Sequence, residues 1–314
     1  MSFFAGNKTN RTRQSTVDAL IGSYAQSFDA STQPVTITEP NGNVRYVNPA
    51  FTALTGYTAA EILGKTPRIL KSGKHDGFFY HNMWLHLMGG RVWQGEITNR
   101  KKDGTLYVDE QTITPVTRDD GQIGCFISVR YDATAKRKQE LERIIREEET
   151  TLPHQIDALG KSARSPVELL EKSIALFLTL HEFRSTSSGL AFEVFQEEGV
   201  LRLAATHGHF HPDFLADEAT VPLGECLCGK SAAEGRVLIC QSCYKDARHE
   251  RKWLGMRVRG HYTIPIRTQG RVLGVINLYT DDNVDHSERR VAFLAAAGFR
   301  LGAYLDKLCR DVAR

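Results

Sequence analysis

Four of the six cysteines in the 314-residue chain fall in one short segment, where they form two closely spaced pairs. The spacings Cys-x-Cys and Cys-x-x-Cys allow two thiolates on one turn to reach the same metal ion. We therefore predict a four-thiolate site for zinc or an iron–sulfur centre, with the ligands Cys226, Cys228, Cys240 and Cys243. His249 and His261 are alternates that would replace or supplement a thiolate. The alternative is a set of buried or redox-active cysteines that bind no metal.

Two glycines frame the first cysteine pair. Gly224 and Gly229 allow the tight backbone that a chelating loop requires. A helix that begins near Gly229 would point its N-terminal N–H groups at the thiolates, which lowers the pKa of a thiol and favours metal binding. A bound metal would also tie together two loops that have few apolar residues to bury, so we expect metal loss to loosen this region.

A second candidate site lies in the run from Val92 to Asp109, V-W-Q-G-E-I-T-N-R-K-K-D-G-T-L-Y-V-D. Its pattern predicts two antiparallel strands joined by a turn at Lys102-Asp103-Gly104. The amide of Asn99 donates and accepts hydrogen bonds at once, so it suits the polar edge of a ring. Trp93 could stack against the same ring. A turn-flanking asparagine bonded to backbone and a tryptophan in the core are the alternative interpretations.

Several short segments precede and follow this run in a characteristic order. Along the chain they are Tyr46-Val47-Asn48-Pro49-Ala50-Phe51, Leu54-Thr55-Gly56-Tyr57, Glu61-Ile62-Leu63-Gly64, Ile113-Thr114-Pro115-Val116 and Asp132-Ala133-Thr134. This order resembles a PAS sensory domain, and the resemblance covers roughly Thr32 to Thr134. The form W-x-G-x-x-x-N-R-x-K-D-G is similar to the flavin-binding PAS domains of bacterial redox regulators for nitrogen fixation, methane oxidation and aerotaxis.

The resemblance implies a non-covalently bound FAD. In flavin PAS domains and the related light-oxygen-voltage domains, the asparagine that matches Asn99 hydrogen-bonds the polar edge of the isoalloxazine ring, and Trp93 would lie near it. Asp109 stands where light-oxygen-voltage domains carry a second asparagine. Arg130 stands where they carry a glutamine, and an inward-pointing arginine would stabilise an anionic reduced flavin.

The segment Gly64-Lys65-Thr66-Pro67-Arg68-Ile69-Leu70 aligns with the G-x-N-C-R-F-L of photoactive light-oxygen-voltage domains. Pro67 occupies the position of the cysteine whose sulfur forms the photoadduct with the flavin. We therefore expect no light sensing of this type. The helix predicted from Asp76 to Met88 presents Trp84 on its apolar face, where it would contact the cofactor or pack in the core.

Three helical segments carry apolar stripes too narrow to build a core alone. The segments are Thr16 to Phe28, the connector from Ala135 to Leu152, and a terminal helix from about Ser287 to Leu308. The connector also carries opposite charges four residues apart, and its stripe consists of Leu141, Ile144, Ile145, Glu148 and Leu152. We expect Pro153 to interrupt or end this helix. The stripes predict a parallel homodimer, with a single solvated connector as the alternative.

The chain after Ser165 reads as a second domain of strands and helices. The pairing P-I-x-x-x-G-x-V-L-G-V-I-N-L-Y begins at Pro265 and is followed by the terminal helix. This pattern resembles a GAF domain, over about Ser165 to Cys309. The predicted fold class is α+β, with two domains that each contain a central antiparallel sheet with flanking helices, joined by a signalling helix. The predicted boundaries are 1–31 for a tail and lead helix, 32–134 for PAS, 135–164 for the linker and 165–314 for GAF.

Bulk properties exclude several classes of protein. A net charge of +3 is too small to indicate a nucleic-acid partner. No apolar run reaches the roughly 20 residues that a membrane helix needs. The polar, basic start from Met1 to Gln14 does not resemble a secretory signal. We therefore expect a cytoplasmic protein, in which thiols stay reduced.

The sequence carries no recognised catalytic signature, such as the phosphoacceptor and ATP motifs of a histidine kinase, a cyclase run or a P-loop. We therefore predict a bacterial signal-transduction sensor with no catalytic domain in this chain. Its PAS domain would use FAD for redox or oxygen sensing, and dimeric helices would signal to an output partner or domain. The alternatives are a ligand-free dimerisation scaffold, or the input part of a histidine kinase or a cyclic-di-GMP enzyme.

Overall fold

The computed structural model describes residues 22, 24–251, 260–280 and 287–312. The chain divides into two compact units, Met1–Leu141 and Glu142–Arg314, so the boundary falls inside the predicted connector. Each unit contains an antiparallel sheet with flanking helices, which confirms the predicted fold class.

Of the predicted lead helix, residues 24–28 are helical and residues 16–21 and 23 lie outside the described part. No helix in the described ranges combines the length and apolar character needed to cross a membrane.

The first unit contains a sheet in the order β2-β1-β5-β4-β3. Its strands are β1 Val35–Thr38, β2 Val44–Val47, β3 Trp93–Arg100, β4 Leu106–Thr117 and β5 Ile123–Asp132. Between β2 and β3 the chain forms α1 Pro49–Thr55, α2 Ala59–Ile62, a 3₁₀ helix Pro67–Leu70 and α3 Gly77–Met88. The predicted pair of strands around the Lys102-Asp103-Gly104 turn is therefore β3 and β4.

Asn48 attaches the helical segment to the sheet. Its Oδ1 accepts hydrogen bonds from the backbone N–H of Phe51 (3.0 Å) and of Val35 (2.9 Å), while its Nδ2 donates to the carbonyl of Gln33 (2.8 Å). The side chain thus caps α1 and holds the start of β1, and Pro49 occupies the first turn of α1, where its missing N–H costs no hydrogen bond.

Helix α4, Thr134–Ser162, begins at the end of the first unit's sheet and continues into the second unit. Asp132 Oδ1 accepts from the Thr134 N–H (3.0 Å), and Thr134 Oγ1 accepts from the Val108 N–H (2.9 Å). The expectation that Pro153 ends this helix is wrong, because the helix continues through it. Leu152 and Ile156 are buried in the core of the second unit, and this packing offsets the cost of about 3 kcal/mol for an internal proline.

The second unit contains a sheet in the order β8-β7-β6-β11-β10-β9. Its strands are β6 Gly189–Phe195, β7 Val200–His207, β8 Thr220–Pro222, β9 Leu238–Cys240, β10 Gly260–Arg267 and β11 Val272–Thr280. Its helices, besides the end of α4, are α5 Pro166–Phe177, α6 Pro212–Asp217, α7 Cys226–Glu234 and α8 Glu288–Val312. The two faces of β11 pack into two different hydrophobic cores. Ile276 packs with α4, α5 and α8 on one face, and Val275 packs with α6 and α7 on the other.

Helix α8 packs closely on β10. A Cβ at Gly298 would lie 2.3 Å from the Pro265 carbonyl oxygen, and one at Gly302 would lie 2.0 Å from that of Arg267. Glycine at these positions therefore allows the helix to contact strand backbone directly.

The apolar stripe predicted on the connector is partly used within the chain. Glu148 and Leu152 are buried in the second unit, whereas Leu141 is 43% exposed. Arg290 of α8 pairs with Glu148 (2.8 Å) and with Glu182, and these three side chains are almost fully buried. Burial opposes the ionisation of Glu148, but hydrogen bonds from His181 and the charge of Arg290 outweigh it and lower the pKa of Glu148.

Arg290→Met should lower the free energy of unfolding of the second unit by roughly 3–5 kcal/mol, because it leaves two buried carboxylates without a cation. Scanning calorimetry measures this as a lower melting temperature for that unit. The neighbouring Arg289→Met removes an exposed pair with Glu149 and should lower the melting temperature much less, because exposed ion pairs contribute little to stability. Since the pKa of Glu148 is lowered, its stabilisation should be lost as the pH falls below the ordinary glutamate range. Equal effects of the two variants would contradict the buried pairing.

Candidate functional site

A cavity of about 920 Å³ lies in the first unit between the sheet, the 3₁₀ helix and α3. Its apolar walls are formed by Leu70, Met83, Trp84, Leu87, Ile97, Ile113 and Phe126. Its polar lining includes Thr36, Asn99, Gln111, Ser128 and Arg130. The volume is in the range of small-molecule and cofactor sites, which are mostly apolar with a few placed polar groups.

Strand register gathers the polar residues on one face of the sheet. Gln111 of β4 pairs with Arg130 of β5, and Asp109 of β4 pairs with Ile97 of β3. Residues two apart on a strand share a face, so Asn99 lies diagonally beside Asp109. Gln111 was not identified from the sequence, although the alternation from Asp109 through Gln111 to Ile113 is the signal that would have found it.

Asp109 is the centre of a buried hydrogen-bond network. Its Oδ2 accepts from Arg130 Nη1 (2.7 Å), Gln111 Nε2 (2.7 Å), Asn99 Nδ2 (3.1 Å) and the Tyr107 hydroxyl (3.3 Å). Asp109 is 0% exposed and Arg130 is 3% exposed. Burial, together with the nearby charge of Asp109, raises the pKa of Tyr107 well above its ordinary value.

The ion pair changes what Arg130 contributes to the cavity. The sequence placed a lone cation near the cofactor, whereas the structure balances Arg130 with Asp109 at 2.7 Å. The pair is close to neutral, so it presents directed donors and acceptors more than a net charge. Asn99 donates to Asp109, and its own carbonyl oxygen has no protein donor in the described ranges.

The two tryptophans that the sequence predicts near the cofactor lie in different places. Trp84 lines the cavity and packs edge-on against Phe126, with ring centroids 5.7 Å apart. Trp93 shares the face of Asn99, but its indole folds over Gly95, where a Cβ would lie 2.6 Å from the ring. Trp93 contacts Phe79 instead and is not among the residues that line the cavity.

The cavity fits a flavin in the distribution of its polar atoms. Several buried polar atoms around it have no hydrogen-bond partner among the described residues, and they are Thr36 Oγ1, Tyr80 Oη, Asp109 Oδ1 and Arg130 Nε. An apolar slot with donors and acceptors at one end suits a planar ring with a polar edge. Arg68 and Lys71, which also line the cavity and are exposed, suit the phosphates of a flavin nucleotide.

The second unit brings together three of the predicted metal-ligating residues. The ligand atoms of Cys240, Cys243 and His261 all lie within 4.8 Å of one another, and all three residues are buried. His249 lies beside them, with its ring centroid 5.1 Å from that of His261. Hydrogen bonding from Cys240, and from His249 and His261, outweighs burial and lowers the pKa of Cys243, while Cys240 holds the proton and its pKa is raised.

Cys226 and Cys228 are not part of this group. Helix α7 begins at Cys226 and not near Gly229, so both residues are in its first turn. Residues two apart on a helix do not face the same way. The Cys226 N–H donates to Glu250 Oε2 (2.8 Å), and Cys228 is buried in the apolar cluster of Phe192, where burial raises its pKa.

Comparison with known families identifies both units. A model of the PAS fold matches residues 23–130, and a model of the GAF domain matches residues 163–306. The chain therefore carries a PAS domain followed by a GAF domain.

The relatives of this chain match it over the PAS region. A nitrogen fixation regulatory protein of Klebsiella oxytoca is 31% identical over 111 residues, which are 35% of this chain and 22% of that protein. A blue-light-activated histidine kinase of Rhizobium johnstonii is 31% identical over 119 residues, 37% of this chain and 34% of that protein. Phototropin-1A of Oryza sativa is 28% identical over 128 residues, 41% of this chain and 14% of that protein. The chain thus spans between 14% and 34% of the length of these relatives, which confirm the resemblance to nitrogen-fixation and light-oxygen-voltage PAS domains.

Two solved structures illustrate how far the similarity extends. An RNA-binding light-oxygen-voltage receptor is 28% identical, covers 40% of this chain and 37% of its own, and has a TM-score of 0.36. Free methionine-R-sulfoxide reductase from Neisseria meningitidis, in complex with its substrate, is 16% identical, covers 52% of this chain and 91% of its own, and has a TM-score of 0.43. These scores are too low to carry a functional conclusion.

Asp109→Asn should lower the opening free energy of β4 by roughly 3–5 kcal/mol, because it leaves Arg130 buried without a counter-charge. Asp109→Asn combined with Arg130→Gln removes both charges and should cost less than the sum of the single changes, by at least about 1 kcal/mol. Native-state hydrogen exchange of the β4 and β5 amides measures these energies. Lys102→Gln, which removes an exposed pair with Glu61, should have a much smaller effect. Strictly additive losses for the double variant would refute the coupling.

Proposed function

We propose that the PAS domain binds FAD non-covalently and serves as a redox or oxygen sensor, and that the chain signals through helix α4 to an output partner or domain. The observation that carries this proposal is the buried network around Asp109, which lies at one end of a cavity of about 920 Å³ with apolar walls. The similarity to a nitrogen fixation regulatory protein and to light-oxygen-voltage sensors supports a flavin as the ligand.

Different residues around the cavity would hold different parts of the ring. Asn99, Gln111 and Arg130 line the cavity and would face the polar edge of the ring. Asp109 lies behind them and holds all three by hydrogen bonds. The flavin supplies redox chemistry when it is bound. A change in charge or protonation at the ring edge would alter which of these groups has a partner. The buried carboxylate would then favour a different arrangement of its four donors.

One peptide bond and two hydrogen bonds connect this network to the start of helix α4. Asp109 follows Val108, whose N–H donates to Thr134 Oγ1 (2.9 Å) and whose carbonyl accepts from the Ala133 N–H (2.9 Å). A shift of β4 at Asp109 therefore moves the first turn of α4. This contact supports a route by which the PAS domain signals without its own catalytic step, so we propose a sensor and not an enzyme.

We also propose that the GAF domain carries a cysteine-rich metal or iron–sulfur site. The grouping of Cys240 and Cys243 with His261 supports it. Elemental analysis of protein prepared with both zinc and iron available tests this part of the proposal separately from the flavin.

Asn99→Ala should weaken FAD binding by about 1–3 kcal/mol, the cost of leaving a buried polar group without a partner. Titration of the apoprotein with FAD and with FMN measures the affinity and decides between the two nucleotides. Asn82→Ala changes an exposed residue of α3 that does not line the cavity and should have no effect. Since Pro67 replaces the reactive cysteine, illumination should give no thiol adduct. A colourless protein whose melting temperature is unchanged by added FAD would refute the proposal.

We further propose a homodimer that uses the lead helix, the first part of the connector and α8. Leu141, Phe299 and Val312 are exposed apolar side chains on these last two elements. Leu141→Glu combined with Phe299→Glu should convert a dimer to a monomer in light scattering at micromolar concentration. Val167→Glu, at an equally exposed position of α5, should leave the mass unchanged. A monomeric mass for the unaltered protein would exclude the dimer.

A further inference from the structure

We propose that the GAF domain contains one mononuclear, tetrahedral zinc site whose ligands are Cys240, Cys243, His249 and His261. This inference rests on the proposal that the domain binds a metal, and it replaces the four-thiolate set with two cysteines and two histidines. The role of the ion is structural, because four protein ligands leave no open position for a substrate.

The sheet places the first two ligands side by side. Cys240, the last residue of β9, pairs directly with His261 of β10. Directly paired residues of antiparallel strands project from the same face with Cβ atoms about 5 Å apart. The two side chains are therefore held at a chelating distance by backbone hydrogen bonds, independently of any metal.

A turn returns the third ligand to the same place. The backbone N–H groups of Lys245 and Asp246 both donate to the Ser242 carbonyl (3.1 Å each), which closes a turn around Cys243. Cys243 Sγ lies 3.6 Å from His261 Nδ1. Bonds of about 2.3 Å to sulfur and about 2.0 Å to nitrogen in a tetrahedral zinc site place those two ligand atoms about 3.6 Å apart. The sulfur and the nitrogen thus already span one edge of a zinc tetrahedron.

His249 is the fourth ligand. It is only 8% exposed, its ring lies 5.1 Å from that of His261, and its Nδ1 has no hydrogen-bond partner among the described residues. A buried imidazole nitrogen without a partner is costly, and a metal bond would satisfy it. His249 also follows Cys243 closely enough for one loop to supply both ligands.

Charge distinguishes this set from four thiolates. Zinc with two thiolates and two neutral imidazoles has no net charge, whereas four thiolates leave a net charge of about −2, which is expensive to bury. Leu227 and Leu238 pack with Cys240 in an apolar cluster that keeps the site dry. A Rieske iron–sulfur cluster also uses two cysteines and two histidines, but its cysteines bind one iron and its histidines bind the other. Cys243 Sγ and His261 Nδ1 lie only 3.6 Å apart, which fits a cysteine and a histidine that share a single ion.

The ion would fix the segment that follows β9. This segment reaches helix α7, where Glu250 accepts from the Cys226 N–H (2.8 Å) and from Lys230 Nζ (2.9 Å). Arg251 continues the contact by pairing with Glu225 (2.9 Å). Zinc loss should therefore loosen both the segment and the N-terminus of α7.

The test is the metal content of the full chain, prepared with zinc and iron both available and measured by plasma mass spectrometry alongside flavin absorbance. We expect one zinc ion per chain and little iron. Cys240→Ser, Cys243→Ser, His249→Gln and His261→Gln should each lower the zinc affinity by more than about 100-fold, since even changes to groups behind the ligands cost 10–100-fold. Cys226→Ser and Cys309→Ser are the matched controls and should keep the zinc.

Cobalt substitution supplies a readout that does not depend on stability. The absorbance of Co²⁺ bound by the unaltered chain should indicate tetrahedral geometry with two thiolates. In His249→Gln, the cobalt that still binds should give a different spectrum, because one ligand has changed. Removing zinc with a chelator should speed hydrogen exchange in residues 241–251 and expose two thiols to titration.

Several outcomes would overturn the inference. Zinc that is lost equally in Cys226→Ser and Cys240→Ser would establish the four-thiolate site, which keeps the metal proposal and refutes these ligands. Iron with sulfide-to-iron absorbance would refute the mononuclear zinc site and keep the proposal that the domain binds a metal. Metal-free protein with all cluster thiols free to titrate would refute both, while bound flavin in the same sample would leave the PAS proposal standing.

Discussion

A carboxylate with no exposed surface constrains the PAS domain more than any other group. Asp109 can remain charged in the sheet only if donors surround it, and Arg130, Gln111, Asn99 and Tyr107 all supply one. Each donor comes from β3, β4 or β5, so the network fixes the register of the three strands at the cavity. Asn99, Gln111 and Arg130 also line the cavity, so Asp109, which does not line it, holds the polar end of the cavity in place from behind. The sheet and the polar end of the cavity are therefore consequences of the same buried charge.

Local signals in the sequence predicted the elements well, because their causes are local. The Asn48 cap, the proline after it and the Asp132-Ala133-Thr134 start of α4 each act within a few residues. The pairing of Asp109 with Arg130 depends on the register of β4 with β5, which the sequence does not encode in one place. For this reason the two residues were identified singly, as replacements for amides, and not as one neutral pair. Pro153 was misjudged for a similar reason, since the packing that offsets its cost comes from the distant helices of the second unit.

The cysteine pairs illustrate the same limit for the GAF domain. Spacing alone treats Cys-x-Cys and Cys-x-x-Cys as equivalent chelators, but the first pair lies on a helix and the second follows a strand. A helix turns Cys226 and Cys228 away from each other, while the turn after β9 directs Cys243 back towards Cys240. The histidine that joins the group, His261, was only an alternate in the sequence, and its pairing with Cys240 across β9 and β10 is what places it beside the two cysteines. Residue type was informative about chemistry, and secondary structure decided which residues meet.

Helix α4 is held at both ends by groups within its own units, and this determines what kind of motion it could carry. Its first turn is hydrogen-bonded to the backbone at Val108, beside the buried carboxylate of the PAS domain. Further along, Glu148 is fixed by Arg290 and Leu152 is fully buried. A helix pinned in this way cannot unwind locally without losing a buried ion pair, so a small shift at its start favours displacement of the helix as a unit. The helix continues through Pro153 to Ser162 although Pro153 has no N–H to donate, and this continuity suits such rigid displacement better than local melting.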